Sequence, residues 1–101
     1  MNVTTDREGE KLTISAEGKL GTGSAPDLDK ALKDNIDGVS ELVFDFEKLE
    51  FMASAGLRVL LSAAKIMKKQ GSMKIINVSP AVMDVFTFTG MADKMTIEPR
   101  K

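Results

Sequence analysis

The chain reads as a single α/β domain built on a mixed sheet, and three observations carry that reading. Apolar residues recur at period two in short runs and at three-and-four spacing in longer ones, and the two kinds of run alternate along the sequence. With 101 residues, 43% apolar and 29% charged, the chain has material for one core and none for a second domain. A hairpin pattern at the start adds one antiparallel pair to strands that intervening helices otherwise make parallel. The expected order is β-β-α-β-α-β-α-β, with right-handed crossovers and helices packed on the sheet.

The hairpin joins residues 2–7 to 11–16 across the turn Glu8-Gly9-Glu10, and Leu12, Ile14 and Ala16 alternate inward. Residues 18–23 form a glycine-rich connection. Ser24 suits the N-cap of a helix with Pro26 and Asp27 in its first turn and Leu28, Leu32 and Ile36 as its stripe, ended by Gly38. Residues 42–46 are apolar on both faces, as in a central strand covered by helices. The helix from Ser54 to about Gln70 is expected to bury Leu57, Leu60, Leu61, Ala64 and Met67 and to expose Arg58, Ser62, Lys65 and Lys69. Residues 73–78 make the next strand. Ser79-Pro80 supplies an N-cap and a first-turn proline to a helix with Val82, Val85 and Phe86 inward and Gly90 at its close. Residues 94–98 form the last strand, and Pro99-Arg100-Lys101 a short charged tail.

Composition excludes several functions. Cysteine and histidine are both absent, which removes disulfides, thiolate nucleophiles, soft-metal sites and histidine acid–base chemistry. The acidic residues fall on expected helix surfaces and loop edges, so neither an enzyme nor a cofactor is expected. Five phenylalanines without tyrosine or tryptophan, in a mildly acidic chain, provide no stacking platform or basic footprint for direct nucleic-acid binding. No apolar run approaches the roughly 20 residues of a membrane span, and the N-terminus lacks the order of a signal peptide, so a cytoplasmic location is expected. The net charge of −1 divides into −6 for residues 1–50 (6 basic, 12 acidic) and +5 for residues 51–101 (8 basic, 3 acidic). Much of the excess lies between Arg58 and Lys69; the default reading is a solvated face, beside which stand a docking face for an acidic partner and a complement to the acidic half of the same molecule.

The segment Phe51-Met52-Ala53-Ser54-Ala55-Gly56-Leu57 sets one hydroxyl among small residues between an apolar strand and an amphipathic helix. Two readings stand side by side. Serine is a preferred N-cap, and small residues serve a tight turn; equally, free N–H groups and the positive end of the helix dipole favour an added anion, as at a phosphoacceptor. In a parallel sheet, residues 18–24, 52–56 and 77–80 should gather on the rim beyond the strands' carboxyl ends. The loop Gly18-Lys19-Leu20-Gly21-Thr22-Gly23-Ser24 lacks the Walker spacing, which makes a turn the better reading than a nucleotide site.

Gly18-Lys19-Leu20, Leu42-Val43-Phe44-Asp45-Phe46, residues 51–60, residues 71–76, Asn77-Val78-Ser79-Pro80, and Val85-Phe86 ahead of Thr89-Gly90 occur in an order that resembles the STAS domain family. Within it, the chain is similar to the bacterial anti-sigma factor antagonists over nearly its whole length. The resemblance implies that Ser54 is phosphorylated by an anti-sigma factor that is itself an ATP-dependent serine kinase. The unmodified antagonist would hold that kinase and free its sigma factor; a PP2C-type serine phosphatase would reset the switch. The partner surface expected around Ser54 takes in Gly21, Thr22, Ser24, Met52, Ala53, Ala55, Gly56, Arg58 and Ser79. Ala53 and Gly21 stand where many phosphorylated members carry aspartate. The family also has a last helix after the final strand, expected to be lacking here, and the chain is expected to be a monomer. The alternative role is a non-phosphorylated adaptor subunit of a transporter or stressosome-like assembly.

Overall fold

Gly9 and Glu10 alone make the first turn, with Gly9 at φ 61°, a backbone sign that glycine adopts without the cost a Cβ would impose. The hairpin it closes pairs β1 (Asn2–Glu8) with β2 (Lys11–Leu20). In the computed structural model, which describes residues 2–100, there follow α1 (Ala25–Asn35), β3 (Glu41–Asp45), β4 (Leu49–Met52), α2 (Ser54–Gln70), β5 (Ser72–Val78), α3 (Pro80–Thr89), one 3-10 turn (Met91–Asp93) and β6 (Thr96–Pro99). Lys101, the end of the expected tail, and Met1 lie outside the described residues.

The mixed sheet and the alternation with helices are as the periodicity implies. The strands run in the order β1-β2-β3-β5-β6, antiparallel between β1 and β2 and parallel thereafter. Two corrections concern the middle of the chain. β2 continues past Ala16 to Leu20, and β4, absent from the expected order, pairs in parallel with that extension. β4 has only four residues in the burial order in-out-out-in, so it carries no alternation for a sequence pattern to register.

Most of the core lies on one sheet face, and Val43 of β3 is buried on the other. Leu12 pairs with Leu42 and Ile14 with Phe44, which pairs in turn with Ile75; all five are fully buried. Leu28, Leu32 and Ile36 of the α1 stripe are buried as expected. The buried face of α2, however, is Leu57, Val59, Leu60, Ala63 and Met67, with Leu61, Ala64 and Ser62 only half-buried. Residues 56–67 are apolar on most sides, so three-and-four spacing fits two stripes equally well. Leu57, Leu60 and Met67 are buried as expected, and packing of α2 against α1, with Val59 beside Ala25 and Pro26, adds Val59 and Ala63 in place of Leu61 and Ala64. Among the described residues, no helix is long and apolar enough to cross a membrane.

Gly71 joins α2 to β5. Its N–H donates to the Met67 carbonyl at 2.8 Å, and the next N–H, of Ser72, donates to the Ser40 carbonyl at 2.9 Å and starts β5 alongside β3. At the other end of the same loop, Gln70 donates to the carbonyls of Ile36 (3.1 Å) and Val39 (2.8 Å), which fixes the end of α2 against the connection from α1 to β3.

Candidate functional site

The long strand β2 builds the rim. After pairing with β3 it passes a register shift at Gly18 and Lys19 and takes β4 as a second parallel partner, ending with Leu20 opposite Met52. The Ala53 N–H then donates to the Leu20 carbonyl at 2.8 Å, so the chain leaves β4 for α2 directly beside the point where β2 turns into the loop 21–24. Two of the three segments expected on the rim are therefore joined by strand pairing.

Ser24 occupies the N-cap position of α1 as expected, but its hydroxyl serves the loop and not the helix. Its hydroxyl accepts from the Gly21 N–H at 2.9 Å and donates to the Lys19 carbonyl at 2.9 Å, and it makes no capping bond to α1. Hydroxyl residues offer the backbone such local bonds readily, and here a turn takes the side chain that a helix end would otherwise use. The Gly21 carbonyl in turn accepts from the Ala25 N–H at 2.8 Å. Thr22, exposed at the tip, lines an open cleft with Pro26 and Asp29 of α1 and Ala55 and Arg58 of α2.

Ser54 does not cap its helix either. The N-cap is Ala53, extended at φ −99° and ψ 173°, and it has no side chain able to cap. Ser54 is the first helical residue and is exposed. The capping explanation for this serine is thereby removed. Its surroundings favour negative charge: no acidic residue occupies the first turn of α2, the serine lies at the positive end of the helix dipole, and exposed Arg58 lies one turn along on the same face.

Three of the residues expected on the partner surface are instead internal. Met52 is 1% exposed. Gly56 is buried against it, since a Cβ there would lie 2.6 Å from Leu20 Cδ2 and 2.9 Å from Met52 Cγ. The small residues after the serine thus let α2 settle onto the ends of β2 and β4. Ser79 is buried and caps α3, accepting from the Val82 N–H at 3.3 Å. The surface around Ser54 consists of Gly21, Thr22, Ala53, Ala55 and Arg58, with Ser24 half-buried beneath. Phe51, three residues before Ser54 and opposite Lys19 just past the register shift, is 50% exposed.

The third rim segment is anchored on the connection that leads into β4, and α3, which follows it, packs against β4. Asn77 sits at φ 57°, a left-handed conformation that asparagine tolerates better than most residues, and its amide donates to Asp45 Oδ1 at 3.1 Å. The same oxygen accepts from the Glu47 N–H at 3.1 Å. Residues 77–80 are thereby tied to the start of the β3–β4 connection, and Ser54 follows the far end of β4. Replacing Asn77 with alanine should lower stability by about 2 kcal/mol, since it removes the hydrogen bond and puts a Cβ residue in the left-handed region. Asn77→Gly should recover the conformational part, and urea denaturation of the two variants separates the terms.

Among the described residues, no group of three or more acidic side chains could hold a metal ion. The comparisons with known proteins agree with one another. The family model described as the STAS domain matches residues 2–101. A protein of Bordetella bronchiseptica (strain ATCC BAA-588 / NCTC 13252 / RB50) named as an anti-sigma factor antagonist, BtrV, is 32% identical over 92 residues, which span 89% of this chain and 79% of that protein. The anti-sigma-B factor antagonist of Bacillus subtilis (strain 168) is 28% identical over 101 residues, 99% of this chain and 93% of that one. Among solved structures, an anti-sigma factor antagonist from Mycobacterium paratuberculosis superposes with a TM-score of 0.89 at 22% identity, covering 97% of this chain and 85% of its own.

Proposed function

This chain belongs to the STAS domain family, and on that footing we propose that it is an anti-sigma factor antagonist whose binding surface is the Ser54 rim. In its unmodified form it holds an anti-sigma factor and so releases a sigma factor. A serine kinase, the anti-sigma factor itself, phosphorylates Ser54 and ends the complex; a PP2C-type phosphatase restores it. The observation that carries this reading is the exposed hydroxyl at the first helical position, free of capping duty because Ala53 occupies the N-cap. Phosphate there meets the positive end of the α2 dipole and Arg58 one turn away. The fold therefore accommodates the charge, and its effect falls on the partner.

The direct test is capture of partners with wild-type and Ser54→Ala chains in ADP or ATP, with mass spectrometry of the recovered protein. Retention of a kinase in ADP, its loss in ATP from wild type alone, and phosphate on Ser54 support the proposal. A second reading, a permanently bound adaptor subunit, is favoured by the alanine at position 53, which leaves no carboxylate beside the hydroxyl. It predicts unphosphorylated chain in a transporter or scaffold assembly under every condition.

Phe51 gives an independent check of the surface. A half-exposed aromatic beside the serine is the kind of side chain that anchors an interface. Phe51→Ala should weaken binding of the anti-sigma factor by about tenfold while leaving Tm unchanged, as isothermal titration and a thermal melt will report.

A further inference from the structure

The opposite flank of α2 from the α1 contact borders a groove. Leu61, Ala64 and Met67 of α2 line one wall, and Met73 of β5 and Met95, just before β6, line the other. The parallel register, Lys74 to Thr96 and Ile75 to Ile97, sets Met73 beside Met95 on the same sheet face as buried Ile75, so the floor of the groove continues the core. Lys65, Lys68 and Lys94 stand along it.

Among the described residues these lysines have no acidic partner. The ion pairs among the described residues are Lys11–Glu41, Lys30–Asp34 and Lys33–Asp29, all in the acidic half of the sequence. Direct pairing between the two halves, one of the alternatives open from the sequence, does not occur among them. The helix dipole accounts for Lys68, which lies in the last turn of α2, and for neither Lys65 nor Lys94.

From this juxtaposition we infer that the groove is a docking site for an acidic amphipathic helix of a partner protein, its apolar stripe on the methionines and its carboxylates on the three lysines. An added strand fits less well, because β6 is a four-residue edge that ends in Pro99 and offers few N–H groups for pairing. A helix laid over β5 and β6 beside α2 extends the layer that α1 and α2 form, at the usual spacing of about 8–10 Å. The methionines give it an adaptable wall. The site is separate from the Ser54 rim, since Lys65 lies about 16 Å farther along α2 at 1.5 Å per residue.

The test uses the full chain, labelled for NMR, and two synthetic helical peptides with one leucine stripe, flanked by glutamates in the first and by lysines in the second. The glutamate peptide should shift signals of Leu61, Met73 and Met95 and leave Thr22 and Ser54 unmoved. Paired Lys65→Glu and Lys68→Glu substitutions should weaken it by about tenfold with an unaltered melt, since both side chains are exposed. Equal binding of the two peptides, or shifts centred on the Ser54 rim, overturns the inference. So does broadening of the groove signals with protein concentration alone, which would assign the groove to a second copy of the chain. Ser54→Asp should leave peptide binding intact, so failure at the groove is distinct from failure at the rim.

Discussion

Ser54→Asp is expected to weaken binding of the anti-sigma factor by about 5- to 150-fold, a coupling of about 1–3 kcal/mol, whereas Ser54→Ala is expected to bind as tightly as the unmodified chain and to stay bound in ATP. The direction follows from where the charge sits. At the first position of α2 a carboxylate interacts favourably with the dipole, worth about 0.3–1 kcal/mol, so Ser54→Asp should melt at the same temperature as wild type or slightly higher. Its cost appears only when a partner covers the site and strips water from the new charge. Calorimetric titration with a thermal melt of the same preparations separates the two effects. Equal affinities for the aspartate and alanine variants would remove the switch from this serine. Phosphoserine, with about −1.5 to −2 charges, should exceed the aspartate effect.

Gly71→Ala is expected to be the most damaging single-methyl change in the chain. A Cβ there would overlap the Ser40 carbonyl oxygen and come within 2.7 Å of its carbonyl carbon and 2.9 Å of its Cα. Those atoms are backbone, held by the Ser72 N–H at 2.9 Å, and cannot rotate aside. Relief requires β5 to separate from the start of β3, with a loss of about 3 kcal/mol or more and a fall in Tm of about 10–20 °C. Gly56→Ala meets side-chain atoms of Leu20 and Met52, which can shift, and alanine suits a helix better than glycine, so its cost should be smaller. Thermal melts of the two variants test the ranking; a Gly71→Ala protein as stable as wild type would refute it.

The contrast between these glycines bears on what the sequence discloses. Gly71 reads as a helix stop, and the helix does stop there, but the reason alanine is excluded is a carbonyl 31 residues upstream that no local pattern reveals. The same holds at the serines. Ser79 followed by proline reads as a cap and is one. Ser24 and Ser54 precede or open helices too, yet one hydroxyl is taken by a turn and the other is displaced from the cap by a single residue. Hydrophobic spacing identifies β2 because it has one covered face and β3 because it is apolar on both, and it fails on α2, where apolar residues surround the axis and only the neighbouring helix decides which of them are covered. The rim was legible as three segments gathered beyond the strand ends; that two of them are joined by strand pairing depends on β4, too short to announce itself.

β2 is bonded to β1 on one side and to β3 and then β4 on the other. Two of those partners come from segments about 30 residues later, so the strand cannot complete its bonds until much of the chain has collapsed around it. Amide hydrogens of Leu12 and Ile14 should therefore exchange with solvent only when the whole domain unfolds, while those of β6, at the sheet's far edge, exchange through local opening. The loop that flanks Ser54 thus springs from the last part of the molecule to let go, and a partner meets a surface already set in place before it arrives.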